Sequence, residues 1–433
     1  MDVEVGETAT KTALSDTRWE TPAYLYDLAV VRHAHRRLVG ALPEPATLLY
    51  SLKANPHPAV LGQLAALGCH AEVSSPGELD AAVRAGFPAA GVLYTGPGKR
   101  DEDVARALAT GVRQFSVDSP HGLDQLDRLG RAHGTRVRAL LRVNPPVPPA
   151  GAGLAMTGGP SQFGADLSWV LERPRLFADR EHAELAGLHL YMGSNLTEVA
   201  ALLAVFRYGL DVVRQVETAL GRRLRVVDLG GGFGAPYAVE GGLPRFDALG
   251  SRLADLLDER LPGWREGERQ VVFESGRYLT ATCGRLVTAV LDVKRSQGRR
   301  VVVLDTGVNH LGGMSGLRKE DRIEPRFRYE PGPGGTAGPE APGAPEETDA
   351  SEGTDGTIVA GPLCHPLDVW SRNARLPEVA VGDRLTVPNV GAYGLHAGLA
   401  LFHCHPMPLE VVLDGGREVA RGRYVLGRDR GPR

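Results

Sequence analysis

The sequence predicts an α/β protein: a (β/α)8 TIM barrel over residues 45–280, followed by an all-β domain over 281–433. Three observations carry that prediction. Eight short runs rich in Val, Leu and Tyr recur from residue 45 onward: "TLLYSLK", "CHAEVSS", "GVLYTGP", "RQFSVDS", "RVRALLRVN", "LAGLHLYMGS", "RLRVVDLGGG" and "RQVVFESGR". The segments between them have helical periodicity, as in Val60, Leu61, Leu64 and Leu67 or in Leu123, Leu126 and Leu129, and usually close on a glycine. Alternating strands and helices pair in parallel, and this many units suit a closed barrel better than a doubly wound sheet. Finally, Lys53, Glu72, Arg142, Asn144, Ser194, the glycines 230 to 232 and Arg277 all fall at or just past the C-terminal ends of these runs. That is the end at which a barrel keeps its active site.

Beyond about residue 285 the helical pattern fades. Short strands follow: "RLVTAVLDVKR", "RRVVVLDTGV", "GTIVAGPLC", "DRLTVPNV", "LEVVLDGG" and "GRYVLG". Residues 1–44, with "PAYLYDLAVVRHAHRRLVGAL", form an N-terminal segment expected to associate with the β domain. Residues 329–357 are Pro, Gly and acid rich with almost no apolar residue, and are expected to be a disordered insertion because burial cannot offset their ordering entropy.

Composition narrows the function. The 433 residues carry 49 Lys plus Arg against 52 Asp plus Glu, a formal charge of -3. With no basic field, nucleic acid and acidic membranes are not expected as partners, and a small molecule is. Cys69, Cys283, Cys364 and Cys404 are scattered, without zinc-site spacing, which fits reduced thiols in the cytoplasm. No basic-then-apolar leader and no apolar stretch of about 18 residues occurs, so neither secretion nor membrane spanning is expected.

The chemistry lies at the strand ends. "DLGGGFG" (228–234) offers backbone N–H groups free to adopt positive φ, a nest suited to a phosphate. An isolated Gly-Gly-Gly reads equally well as a turn. Its place after the seventh strand, with Arg277 ending the eighth, favours phosphate, because barrels build phosphate sites there. Pyridoxal phosphate needs an amine, a phosphate cradle and an ionisable partner for its ring nitrogen. Lys53, Gly230 to Gly232 with Arg277, and Glu274 would fill those roles. Taken singly, Lys53 reads as a snorkelling surface lysine and Glu274 as a solvated loop acid.

The ordered set "YSLKAN", "AEVSSPGEL", "LRVNP", "HLYMGSN", "DLGGGFG", "ESGR", "GPLCHPLD" and "GAYG" resembles the fold type III, alanine-racemase-like pyridoxal-phosphate decarboxylases, the diaminopimelate, ornithine and arginine group. The resemblance spans about residues 20 to 413. It implies a Schiff base on Lys53, Glu72 near the cofactor, and Arg142 helping to hold the ring's surroundings. It further implies phosphate binding by Ser194, Gly230, Gly231, Gly232 and Arg277, and Glu274 at the pyridine nitrogen. The active site would be completed across a head-to-tail homodimer by Cys364 and Asp368, with Tyr393 near the phosphate. A carboxylate at that nitrogen favours the protonated ring, a strong electron sink, and so α-decarboxylation through a quinonoid, with Cys364 or a water near it as proton donor.

Two departures stand out. Tyr191 replaces the histidine that many members stack on the ring, with His189 two residues earlier, so an aromatic face is kept. His365 follows Cys364, where the diaminopimelate and ornithine enzymes are similar in having an acid for the substrate's distal amine. Histidine suits a carboxylate or neutral group better, although Asp368 remains as an amine contact. "LDTGVNHLGGMSGL" and "GAYGLHAGLALFHCHPMPLEVVL" look like the subgroup of biosynthetic clusters, some of whose members act on carrier-bound amino acids. Diaminopimelate decarboxylation, amino acid racemisation and a catalytically dead binding protein are the alternatives. Glu274 and the cysteine motif disfavour racemisation, and intact Lys53, glycine loop, Glu274 and Cys364 disfavour the last.

Overall fold

A computed structural model describes residues 19–146, 158–314, 325–330 and 356–428. The chain forms two compact units. One uses the described residues up to Val30, Pro236–Gly241 and the described residues from Ala281; the other uses the described residues of Val31–Ala235 and Gly242–Thr280.

The second unit is a closed barrel of eight parallel strands. They are β2 (Thr47–Ser51), β3 (His70–Val73), β4 (Val92–Tyr94), β5 (Gln114–Val117), β6 (Val137–Asn144), β7 (Ala183–His189), β8 (Val226–Asp228) and β9 (Gln270–Ser275). Each pairs with the next, and β9 closes on β2 with Glu274 opposite Leu49. All eight runs read from the sequence are these strands. Leu49, Leu93, Leu140, Ala186, Val226 and Val272 form a buried cluster that fills the barrel as packed core.

The helices start where the sequence tells them to. Helix α2 (Pro58–Ala66), α3 (Pro76–Arg84) and α5 (Pro120–Ala132) each place proline in the first turn, where its missing N–H costs nothing. Ser75 Oγ accepts from Glu78 N–H at 3.1 Å and caps α3. The long helix α7 (Val199–Leu220) stops at Gly221, whose φ of 67° only glycine adopts cheaply. Its Phe206 meets Phe273 of β9 at 5.3 Å and Phe233 at 6.0 Å, so an aromatic cluster anchors the end of the glycine loop.

The other unit is a mixed sheet. Strand β1 (Ala23–Asp27) lies between β10 (Gly284–Ser296), antiparallel, and β16 (Leu409–Asp414), parallel. On one side the order continues from β10 through β11 (Arg299–Leu304) and β13 (Thr357–Ala360) to β14 (Val369–Ala374). On the other, β16 turns into β17 (Arg417–Gly422), while β12 (Arg328–Glu330) pairs β15 (Arg384–Val387), which pairs β10.

One sequence expectation is corrected here. "GRYVLG" is not the last strand: Gly415 and Gly416, at φ 58° and 83°, reverse the chain at once, so Arg417–Gly422 pairs with β16. Most of the 329–357 stretch lies outside the described residues, so the expected disorder does too.

Candidate active site

Lys53 sits on a single 3-10 turn, Leu52–Ala54, at the end of β2. Its neighbours Leu52 and Ala54 are buried, and Tyr50 Oη donates to Asn55 O at 2.8 Å, fixing the turn. The lysine side chain is 40% exposed, and its Nζ lies 3.1 and 3.3 Å from the two carboxylate oxygens of Glu72. A surface lysine does not meet a buried carboxylate in this way.

Burial alone would raise the Glu72 pKa. The Lys53 ammonium, with hydrogen bonds from Thr95, Ser51 and Lys53, overrides it and holds the carboxyl at about 2. Thr95 Oγ1 donates at 2.5 Å. Because the folded value lies below the ordinary 4.5, the ionised carboxylate stabilises fully above pH 4.5 and loses that effect as pH falls toward 2. In cofactor-free protein, Glu72→Gln should therefore lower unfolding free energy near neutral pH, with a deficit that shrinks on acidification. Denaturant titrations at several pH values measure it, and a pH-independent deficit would exclude the ion pair as its source.

The glycine loop follows β8. Gly230 and Gly232 have φ of 70° and 109°. A Cβ on Gly231 would lie 2.6 Å from Glu274 O, and one on Gly230 would overlap Leu190 O. The chain must be glycine here to pass between β7 and β9. Leu196 N–H donates to Gly232 O, Gly234 N–H returns to Leu196 O, each at 2.8 Å, and Ala235 N–H donates to Asn195 Oδ1. These bonds bring Ser194 beside the loop. Arg277 opens the one-turn helix Arg277–Thr280 directly after β9.

Glu274 is 3% exposed, and its Oε1 has no hydrogen-bond partner among the described residues. His189, 2% exposed, places Nε2 3.3 Å from that oxygen, while its Nδ1 meets Ser116 Oγ at 2.8 Å. His189 thus lies beside Glu274, and Tyr191 is half-buried between buried Leu190 and Met192. An orphaned buried carboxylate oxygen suits an N–H donor such as a pyridinium.

Sequence reading missed Asp228, the last residue of β8, which is fully buried beside Glu274 and His189. Its signal was its spacing: an acid two residues ahead of Gly230 caps that residue's N–H, here at 2.8 Å. Burial lowers the Lys99 ammonium to about 8, Arg142 adding to the fall against the opposing charge of Asp118. Arg142 is buried, with its guanidinium 4.7 Å from the Phe163 ring centroid.

The remaining expected residues belong to the sheet unit. Cys364 and His365 are exposed, and the His365 ring packs edge-on against Phe402 at 5.6 Å. Tyr393 has φ 57°, and its carbonyl accepts from Tyr237 Oη at 3.0 Å. Asp368 does not match the role of substrate contact. It is 2% exposed, Oδ1 accepting from Val308 N–H at 2.8 Å and Oδ2 from Leu363 N–H at 2.7 Å. Oδ2 holds the turn from Gly361 to Asp368, and Oδ1 ties that turn to the backbone of Val308.

Comparison with known proteins decides the family. The model for "Pyridoxal-dependent decarboxylase, pyridoxal binding domain" matches residues 28–281. The chain belongs to the pyridoxal-dependent decarboxylase family. Pyridoxal phosphate is its cofactor, and a decarboxylase its class. This decarboxylase is 29% identical over 400 residues to the L-glutamyl-[BtrI acyl-carrier protein] decarboxylase of Niallia circulans, covering 92% of this chain and 90% of that one. It is 30% identical over 413 residues to the diaminopimelate decarboxylase of Methanothermobacter thermautotrophicus, covering 94% and 90%. The diaminopimelate decarboxylase of Helicobacter pylori complexed with L-lysine superposes with a TM-score of 0.75 at 26% identity, covering 92% of both chains. No helix among the described residues is long and apolar enough to cross a membrane.

Proposed function

We propose that this decarboxylase removes the α-carboxylate of an amino acid whose side chain does not end in a free ammonium, with a glutamyl group, free or carrier-bound, as first choice. The turn from Gly361 to Asp368 carries this reading: its single acid is committed to backbone N–H groups, and the exposed residue after Cys364 is His365. A distal ammonium would find no free carboxylate there, whereas an imidazole accommodates a carboxylate or an amide. The Niallia circulans relative supports the same choice. Diaminopimelate is the second reading, supported by the Methanothermobacter relative.

Lys53 would hold the cofactor through Nζ, and Glu72 would keep that nitrogen oriented. Gly230, Gly231 and Gly232, with Ser194 and Arg277, would hold the phosphate. Glu274 would accept from the ring nitrogen, Tyr191 would cover the ring face, and Arg142 would help hold the ring's surroundings. When bound, pyridoxal phosphate supplies the electron sink for the bond that breaks as CO2 leaves. Cys364, supplied by a second copy of the chain, gives its thiol proton to the α carbon. The exposed Leu367 and Leu401, 48% and 73%, on the unit that carries Cys364 suit cover by such a partner.

Release of CO2 from glutamate, a carrier-linked glutamyl thioester, diaminopimelate, ornithine and arginine tests the substrate. The glutamyl substrates should exceed the basic ones in kcat/KM by roughly tenfold or more, and His365→Glu should narrow that gap. A wild-type preference for diaminopimelate or ornithine would sink this reading.

A further inference from the structure

Strand β8 lies between β7 and β9, with Asp228 opposite His189 on one side and Val272 on the other. Asp228, His189 and Glu274 are all buried, and one ligand atom from each lies within 4.8 Å of the others. Asp228 Oδ1 accepts from Gly230 N–H. Asp228 Oδ2 and Glu274 Oε1 both lack a donor among the described residues, and so does His189 Nε2 a partner. Ionised carboxylates only accept, and two full charges this close and this dry repel strongly. A proton is needed between them.

We propose that Asp228 is held as a neutral carboxylic acid whose Oδ2–H donates to Glu274, leaving Glu274 as the one full negative charge at the ring nitrogen. The assignment of the proton to Asp228 follows from the neighbours. Glu274 has Nε2 of the His189 imidazole 3.3 Å from its Oε1. The charged groups acting on Asp228 are Glu274 and, on β3, Glu72, both negative. Burial, then Glu274, drive Asp228 far above the ordinary carboxylate range, against the pull of the Gly230 N–H. Asp228 is a positioning residue: it aims Glu274 and halves the buried charge that the pyridinium must balance.

The inference rests on the ring-nitrogen role proposed for Glu274, so its test separates the two. Infrared difference spectra of cofactor-free protein near neutral pH should contain the carbonyl band of a neutral buried acid, lost in Asp228→Asn. That variant keeps an acceptor for Gly230 and an N–H for Glu274, so its cofactor Kd should stay within about twofold of wild type, while Asp228→Ala should raise Kd by roughly tenfold or more. Absence of the band in wild type, or equal weakening by Asn and Ala, overturns the proposal. If the band behaves as expected but Glu274→Gln binds cofactor as tightly as wild type, the ring-nitrogen assignment falls, and the charge-setting role with it.

Discussion

Lys53→Ala is expected to abolish the absorbance band of lysine-bound cofactor and to lower decarboxylation by more than about a thousandfold. Two functions of the side chain can be separated. Its Nζ is the amine proposed to hold the cofactor, and it is also the cation that keeps buried Glu72 ionised. Lys53→Arg retains the second function without the first. Both variants should lose the band, but only Lys53→Ala should lose stability near neutral pH. That loss should be about 1–2 kcal/mol, below the cost of breaking a fully buried pair, because the lysine is 40% exposed. Lowering the pH should remove the deficit as Glu72 takes up a proton. Absorbance titration with pyridoxal phosphate and denaturant unfolding give the two readouts independently. A normal band in Lys53→Arg would show that another amine holds the cofactor.

The barrel was legible because parallel strands covered on both faces read as short, largely apolar runs, and eight such runs recur in register with the helices. The sheet unit was harder. Strand β14 ends in "SRNA", half of it polar and exposed, and so escapes an apolar-run reading. The final strand was displaced because "YVLG" is apolar yet leaves the sheet, whereas "REVARG" is half charged and pairs through its backbone. At the site, residues whose chemistry shows in a motif were found. Those whose role depends on a neighbour far away in sequence were not. Asp228 reads as a polar interruption of "VVDLGGG" until Glu274, some forty-six residues later, lies beside it. Asp368 misled for the opposite reason: an acid in "CHPLD" invites a ligand role, but the backbone of Val308, 60 residues earlier, consumes it.

Mixing Lys53→Ala with Cys364→Ala should restore activity that neither variant has alone. If each site takes its lysine from one copy and its thiol from another, a mixed dimer carries one intact site and one lacking both groups. Random reassortment makes half the dimers mixed, so about a quarter of wild-type activity should return. If both groups come from the same copy, every site retains a lesion and nothing returns. Cofactor absorbance controls the experiment, because Cys364→Ala keeps Lys53 and should show the full band while Lys53→Ala shows none. The thiol is exposed within its own unit, with Leu367 three residues away in the same turn, where a reactive proton donor would otherwise face water. Cover by a second copy would exclude that water and make proton delivery to the α carbon selective. Activity that stays at the background of the single variants, with mixed dimers demonstrated by mass spectrometry, would assign Cys364 to its own chain's site or to none.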